Sequence, residues 1–271
     1  MRCAVIGDPA AHSLSPAIHR AGYARHGLDW TYDAITVTPG GLDAFVTEIL
    51  ADDDWAGLSV TAPHKEAICR FGEPDHVTRL VGGGNTLVKG QAPTVHNTDV
   101  PGFVRAWRHY GLGPLRRAAI VGNGATARSL MVALAGLDVA EVLVLARRPE
   151  RAGSLVELGI ALGTAVEAVA IDEELPEVDL LASTVPTEAT APHAARWAKA
   201  ASVLFDAVYH PWPTPMAGAA APGQTVITGL DLLAGQAVDQ FYLLTGHEVT
   251  FADCLSAAQD ELRSRHATVE E

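Results

Sequence analysis

The stretch AAIVGNGATARS, residues 118–129, sets the pattern Gly122-x-Gly124-x-x-Ala127 directly after an apolar run and at the start of a segment rich in Ala, Leu and Met. A strand turning into a helix through this spacing suits a dinucleotide. Gly122 permits the tight turn, Gly124 lets the backbone approach a pyrophosphate, and Ala127 allows close packing of helix on strand. The helix start then offers free amides, including those around Asn123, Ala125 and Thr126, to phosphate oxygens. An ordinary glycine turn is the competing reading. The following strand, residues 141–145, bears on the choice, because it runs into Ala146, Arg147, Arg148, Pro149, Glu150 and Arg151. A carboxylate usually stands at this strand end to hold ribose hydroxyls. Three guanidinium groups there instead are chemistry for a 2′-phosphate, which points to NADP over NAD, with a solvated basic turn as the alternative.

Working outward, apolar runs at residues 118–121, 141–145, 167–170, 179–183, 202–206 and 225–227 suit parallel strands covered on both faces. The Pro-rich YHPWPTP, residues 209–215, is a loop within this set. Before it, residues 2–6, 30–35 and 55–60 alternate as strands with helical patterns at 16–25 and 42–50, and short extended pieces follow at 85–88 and 94–96. Two helical patterns close the chain, at 230–244 and 252–266. In the first, Leu233, Ala237, Phe241 and Leu244 share a core stripe, while Leu232, Gln236 and Gln240 lie on a neighbouring face, from which Gln236 is expected to project away from the core. In the second, Leu255, Ala258 and Leu262 form a stripe that packs back on the beginning of the chain. The expectation is an α/β protein of two domains, one discontinuous: residues 1–102 with 238–271, and residues 103–237.

With 271 residues and 48% hydrophobic content, the chain can fill two ordinary cores. A formal net charge of −13 without any run of Lys or Arg argues against a nucleic-acid surface or an anionic membrane as partner. An anionic ligand must then be captured by a local site. Cys3, Cys69 and Cys254 are scattered and odd in number, which fits thiols in a reducing compartment. The start MRCAVIGDPA enters a strand at once, and no uncharged apolar stretch of membrane-spanning length follows, so a cytoplasmic protein is expected. The histidines lack metal-ligand spacing, and no G-x-S-x-G elbow is present; no metal is expected.

The polar clusters lie mostly in the first hundred residues. In GLSVTAPHK, residues 57–65, Pro63 suits the first turn of a helix, which would also hold His64 and Lys65. A cation at a helix start opposes the dipole, so Lys65 is read as having a task, the delivery of a proton to a bound oxygen. Asp99, in HNTD, either caps the helix that follows or pairs with Lys65 as a proton-transfer dyad. In HSLSPAIH, residues 12–19, Ser15 before Pro16 has the form of an N-cap, yet Ser13 and Ser15 point the same way in an extended chain and can both donate to one carboxylate. Asn85, after three glycines, either holds a sugar-like hydroxyl or bonds its own turn.

Taken together, GDPAAHSLSP from Gly7, SVTAPHK to Lys65, GGGNTL from Gly82, HNTDVPGF from His96, VGNGATA from Val121, ARRPER from Ala146, STVP from Ser183, DAVYHPWPTP from Asp206 and GLDLLAGQA from Gly229 resemble the shikimate dehydrogenase family in order and spacing. The resemblance implies a discontinuous N-terminal α/β substrate domain, a Rossmann-like NADP-binding domain, and a cleft that closes on substrate. It implies reduction of 3-dehydroshikimate to shikimate by a monomer or homodimer. Ser13 and Ser15 would hold the shikimate carboxylate, with Thr61, Asn85, Asp99, Tyr209 and Gln236 around the hydroxyls. Lys65 and Asp99 would be catalytic. Thr184, Ala207 and Gly229 would join the glycine turn and the arginines in the cofactor set. Departures from the family pattern are Ser59 for a common asparagine, Asn123 for alanine, Ala182-Ser183-Thr184 for an Asn-containing motif, and Leu232 for methionine. Relatives acting on quinate or aminated shikimate analogues share the scaffold, as would a non-catalytic NADP- or metabolite-binding regulator; the two serines favour shikimate over quinate.

Overall fold

The computed structural model describes residues 1–269 as an α/β protein with two six-stranded sheets. It divides into two compact units, Met1–Gly102 with the chain from Leu233 onward, and Phe103–Leu232.

In the first unit β1 (Arg2–Gly7), β2 (Thr31–Thr36) and β3 (Trp55–Val60) are parallel in the order β2-β1-β3, joined through α1 (Ser15–His26) and α2 (Leu42–Ala51). Ala4, Ile6, Leu58 and Val60 meet Leu42, Val46 and Ile49 of α2 in one buried cluster. The sheet then continues through β5 (Thr86–Val88) and β6 (Thr94–His96) to a two-residue edge strand, β4 (Glu73–Pro74). Strand direction reverses twice on the way, because β5 is antiparallel to both β3 and β6. The end of β3, the start of β5 and the end of β6 therefore share one edge, with Ser59, Thr86 and His96 in register. A short helix, α3 (His76–Val81), precedes β5 and is capped by Asp75, which accepts from the Thr78 amide at 2.6 Å. That helix and β4 are absent from the sequence pattern, being too short to show a period.

Two helices carry the chain across the unit boundary, α4 (Asp99–His109) outward and α10 (Gly229–Thr245) on the return. The return falls between Leu232 and Leu233 rather than at 237/238, so Gln236 belongs to the first unit. The last helix, α11 (Phe251–Val269), packs along α1.

The second unit holds β7 (Arg117–Val121), β8 (Glu141–Ala146), β9 (Ala165–Ala170), β10 (Val178–Ser183), β11 (Ala201–Asp206) and β12 (Thr225–Thr228), all parallel. Between them lie α5 (Ala125–Ala135), α6 (Gly153–Ala161), α7 (Thr187–Thr190), α8 (Ala194–Ala200) and α9 (Pro215–Gly218). The order β12-β11-β10-β7-β8-β9 is the doubly wound arrangement, whose strand order reverses between β7 and β10. Ligands bind beyond the strand ends at such a reversal. Near-continuous apolar strands are explained by cover on both faces, and Trp197 of α8 is fully buried against Leu181 and Leu204.

Several local expectations are corrected. Residues 63–65 form no α-helix: the His64 amide bonds the Thr61 carbonyl three residues back at 3.0 Å, and a 3₁₀ helix follows at Ala67–Phe71. Lys65 thus opposes no helix dipole. Ser15 is not an N-cap but the first residue of α1, where Leu14 occupies the cap position without a side-chain bond. Gln236 does not project away from the core but is buried, as is Gln240 beside it.

Gly57 marks where the sheet admits no side chain. A Cβ there would collide with the Leu87 carbonyl oxygen across the β3–β5 pair and with Leu244 of α10. Gly57→Ala is expected to destabilise the fold by about 1–3 kcal/mol, read as a lowered urea midpoint at constant slope.

Candidate active site

The shared edge of the first sheet gathers the polar residues. The Lys65 Nζ donates to Asp99 Oδ2 at 2.6 Å, with side chains only 14% and 7% exposed. Asn85 Nδ2 donates to the other carboxylate oxygen, Asp99 Oδ1, at 2.9 Å and lies 3.1 Å from Gln236 Oε1. Its own carbonyl oxygen accepts from the Thr98 amide at 2.9 Å. Backbone bonds hold this arrangement to the strands: Val60 N–H donates to Asn85 O at 2.7 Å and Asn85 N–H to His96 O at 2.9 Å. Lys65 is anchored likewise, its carbonyl accepting from the Gly84 amide at 2.8 Å.

Asp99 does not cap α4. Asn97 does, accepting from the amides of Asp99 and Val100 at 3.1 and 3.2 Å. The Asp99 carboxylate is thereby left to face Lys65 and Asn85.

Ser13 sits beyond β1 on the loop into α1 and Ser15 is the first residue of that helix; both are buried. Ser13 Oγ accepts from the Ser15 amide at 3.2 Å, which leaves its O–H free to donate elsewhere. Thr61 follows β3, its amide donating to Ile6 O at 2.8 Å, and approaches Gly7 so closely that a Cβ at Gly7 would strike the Thr61 methyl.

Behind these residues runs a buried wall that the sequence pattern did not disclose. Gln240, one turn after Gln236, donates to Asn85 O at 3.1 Å and to Thr86 Oγ1 at 2.9 Å. Its Oε1 lies 3.2 Å from His19 Nε2, so that nitrogen carries the proton. The His19 ring stacks on Tyr32 with centroids 4.1 Å apart, and the Tyr32 hydroxyl donates to Ser59 Oγ. Four-residue spacing between two glutamines was the available signal, but polar residues on a helix face ordinarily read as solvated.

In the second unit the glycine turn stands at the end of β7, at the strand-order reversal. Gly122 has φ +106°, and a Cβ on it would press on Thr184 Oγ1, which itself donates to Val121 O at 2.8 Å. At Gly124 a Cβ would meet no atom within 4 Å, so protein packing does not demand this glycine. No side chain caps α5, and Ala127 is buried against the sheet. A cavity of about 460 Å³ lies here, lined by Gly122, Asn123, Arg147, Arg148, Arg151 and Val185 among others and by no carboxylate. Asn123 Nδ2 ties the two turns together by donating to Arg151 O at 2.9 Å. An open glycine, uncapped helix amides and three exposed guanidinium groups fit a phosphate-rich ligand. Ala125 and Thr126 open α5 at the same place.

Ala207 and Gly229 are close in the same unit, where a Cβ on Gly229 would collide with the Ala207 carbonyl. Tyr209 begins the Pro-rich loop after β11. Asp206 secures that loop, accepting from Thr214 Oγ1 at 2.7 Å and from the Val208 amide at 3.1 Å, and burial pushes its carboxyl above the usual range. Among the described residues no group of three or more His, Cys, Asp or Glu could hold a metal, and no helix is long and apolar enough to cross a membrane.

A doubly wound unit with a glycine turn at its reversal, in one chain with a buried Lys–Asp pair at a sheet edge, defines a nucleotide-dependent dehydrogenase of the α/β class. Residues 5–87 match the family described as shikimate dehydrogenase substrate binding domain. The chain belongs to the shikimate dehydrogenase family. It is 34% identical over 266 residues to the shikimate dehydrogenase (NADP(+)) of Moorella thermoacetica, spanning 92% of this chain and 89% of that one. Its fold is similar to the crystal structure of Mycobacterium tuberculosis shikimate dehydrogenase, at a TM-score of 0.87 and 37% identity over 96% of this chain and 99% of that one. It is also similar to the Thermus thermophilus enzyme solved in complex with NADP(H) and shikimate, at a TM-score of 0.82 and 29% identity, covering 96% and 99% of the two chains.

His19 gives the buried wall a pH signature. Burial lowers its pKa from 6.5 to about 4, against the opposing hydrogen bond that it donates to Gln240. The folded state therefore binds this proton less readily than the unfolded one, and the contribution to stability is complete above pH 6.5 and lost as pH falls towards 4. The gap corresponds to roughly 3 kcal/mol. His19→Gln should show that much less loss of unfolding free energy between pH 7 and pH 4 than the unsubstituted protein, measured by urea denaturation; equal losses would refute a neutral buried His19.

Proposed function

We infer that this chain is an NADP-dependent shikimate dehydrogenase that reversibly reduces 3-dehydroshikimate to shikimate. The observation that carries the chemistry is the buried Lys65–Asp99 pair with Asn85 on its second carboxylate oxygen. A lysine held by one of its three donors keeps two N–H groups for a bound oxygen. Lys65 gives the proton to the ring ketone oxygen during reduction, and Asp99 orients both Lys65 and the neighbouring substrate hydroxyl. NADP, when bound, supplies the hydride.

The same reading assigns the substrate carboxylate to Ser13 and Ser15. The free Ser13 O–H supports this, since a donor beside a helix start suits an anion. Thr61, Asn85 and Gln236 are assigned to the ring hydroxyls, as is Tyr209 by the family resemblance. On the cofactor, Gly122, Asn123, Gly124, Ala125 and Thr126 are assigned to the pyrophosphate, and Arg147, Arg148 and Arg151 to the 2′-phosphate. Thr184, Ala207 and Gly229 follow from the resemblance alone. Three free cysteines support a cytoplasmic protein. A monomer or homodimer is proposed.

Three outcomes test these assignments. NADP reduction should proceed with shikimate and be weak or absent with quinate, and Lys65→Ala should lower kcat by about 10²–10⁴ with NADP affinity little changed. Near-normal turnover in that variant, or a preference for quinate, overturns the corresponding assignment. Replacing Arg147, Arg148 and Arg151 together by glutamine should reverse cofactor choice by raising the NADP KM while leaving that for NAD nearly unchanged, as steady-state kinetics with each cofactor would register.

A further inference from the structure

The loop between β1 and α1 leaves its carbonyls outside any helix or strand, to be met by a donor elsewhere in the protein or by water. Two of them find the same one. From α11, some 250 residues away, Arg265 Nη1 donates to His12 O at 2.9 Å and Nη2 to Ser13 O at 3.1 Å. Those carbonyls belong to the two peptide planes that flank the Ser13 Cα. The guanidinium is itself aimed, because its Nε donates to Glu261 Oε1 at 2.8 Å one turn earlier on the helix. All three nitrogens are used, and the planar fork cannot tilt without breaking a bond. Inside the loop the Ser13 amide donates to Ala10 O at 3.0 Å and Ser13 Oγ accepts from the Ser15 amide. With both peptide planes held and the Oγ lone pair engaged, the direction of the Ser13 O–H is set by contacts that begin at Arg265.

We propose that Arg265 is a positioning residue for substrate binding, holding the segment around Ser13 and Ser15 so that its donors meet the substrate carboxylate. The inference rests on the assignment of these serines to the carboxylate.

The test is steady-state kinetics and thermal unfolding of the full chain for Arg265→Ala, Arg265→Lys and Ser13→Ala. For Arg265→Ala the shikimate KM should rise about tenfold while kcat and the NADP KM stay within about twofold. Arg265→Lys should recover only part of the affinity, because it restores a donor but not the fork that reaches both carbonyls. An unchanged shikimate KM in Arg265→Ala, with a raised one in Ser13→Ala, overturns the inference alone. An unchanged KM in Ser13→Ala removes the carboxylate assignment and the inference with it. A general fall in Tm, kcat and both affinities in Arg265→Ala would mean a clamp that only stabilises the fold, which likewise overturns it.

Discussion

Strand direction governs where this protein keeps its chemistry. Parallel strands need crossover helices, so all their carboxyl ends collect on one edge and all the returning loops on the other. In the second unit that rule alone brings the glycine turn after β7, the arginine turn after β8 and Thr184 after β10 to one place. In the first unit the rule is modified. The single antiparallel strand β5 turns its beginning, and the end of β6, towards the carboxyl ends of β1 and β3. Lys65, Asn85 and Asp99, which lie far apart in the chain, meet only because of that reversal.

What the edge assembles is costly to bury. An ion pair withdrawn from water must recover its desolvation through well-placed bonds, and a pair lacking them is often worse than an apolar substitute. Here Asp99 receives a second donor from Asn85, and Asn85 is held in turn by Thr98, by Gln236 and, through its backbone, by Gln240. Exposed pairs such as Arg20–Asp33, with both side chains more than half exposed, contribute little by comparison. The polar network therefore concerns geometry more than stability. It fixes two charges where solvent cannot reorient them.

The parts of the structure that were legible in the sequence are those with a local cause. The Gly122–Ala127 spacing, the arginines after β8 and the parallel apolar runs each carry their own physical reason, and the fold class follows from them. The family resemblance added the substrate. Less legible were features decided by competition between similar residues. Asn97 and Asp99 are both good helix caps, two positions apart, and only the positions of Lys65 and Asn85 decide which serves. Ser15 before Pro16 has the right form for a cap, yet the helix begins one residue early. The glutamines of α10 look solvated until the partner strand is known. The supposed helical turn at Lys65 failed because tight three-residue bonds close that segment first.

Because the amide of Asn97 rather than the carboxylate of Asp99 closes the start of α4, the helix is insulated from events at the acid. A carboxylate that served as the cap would weaken its hold on those amides whenever it took up a proton, loosening the first turn with each titration. The neutral side chain of Asn97 has no such dependence. The backbone that carries Asp99 stays fastened through Asn97, whatever its carboxylate meets.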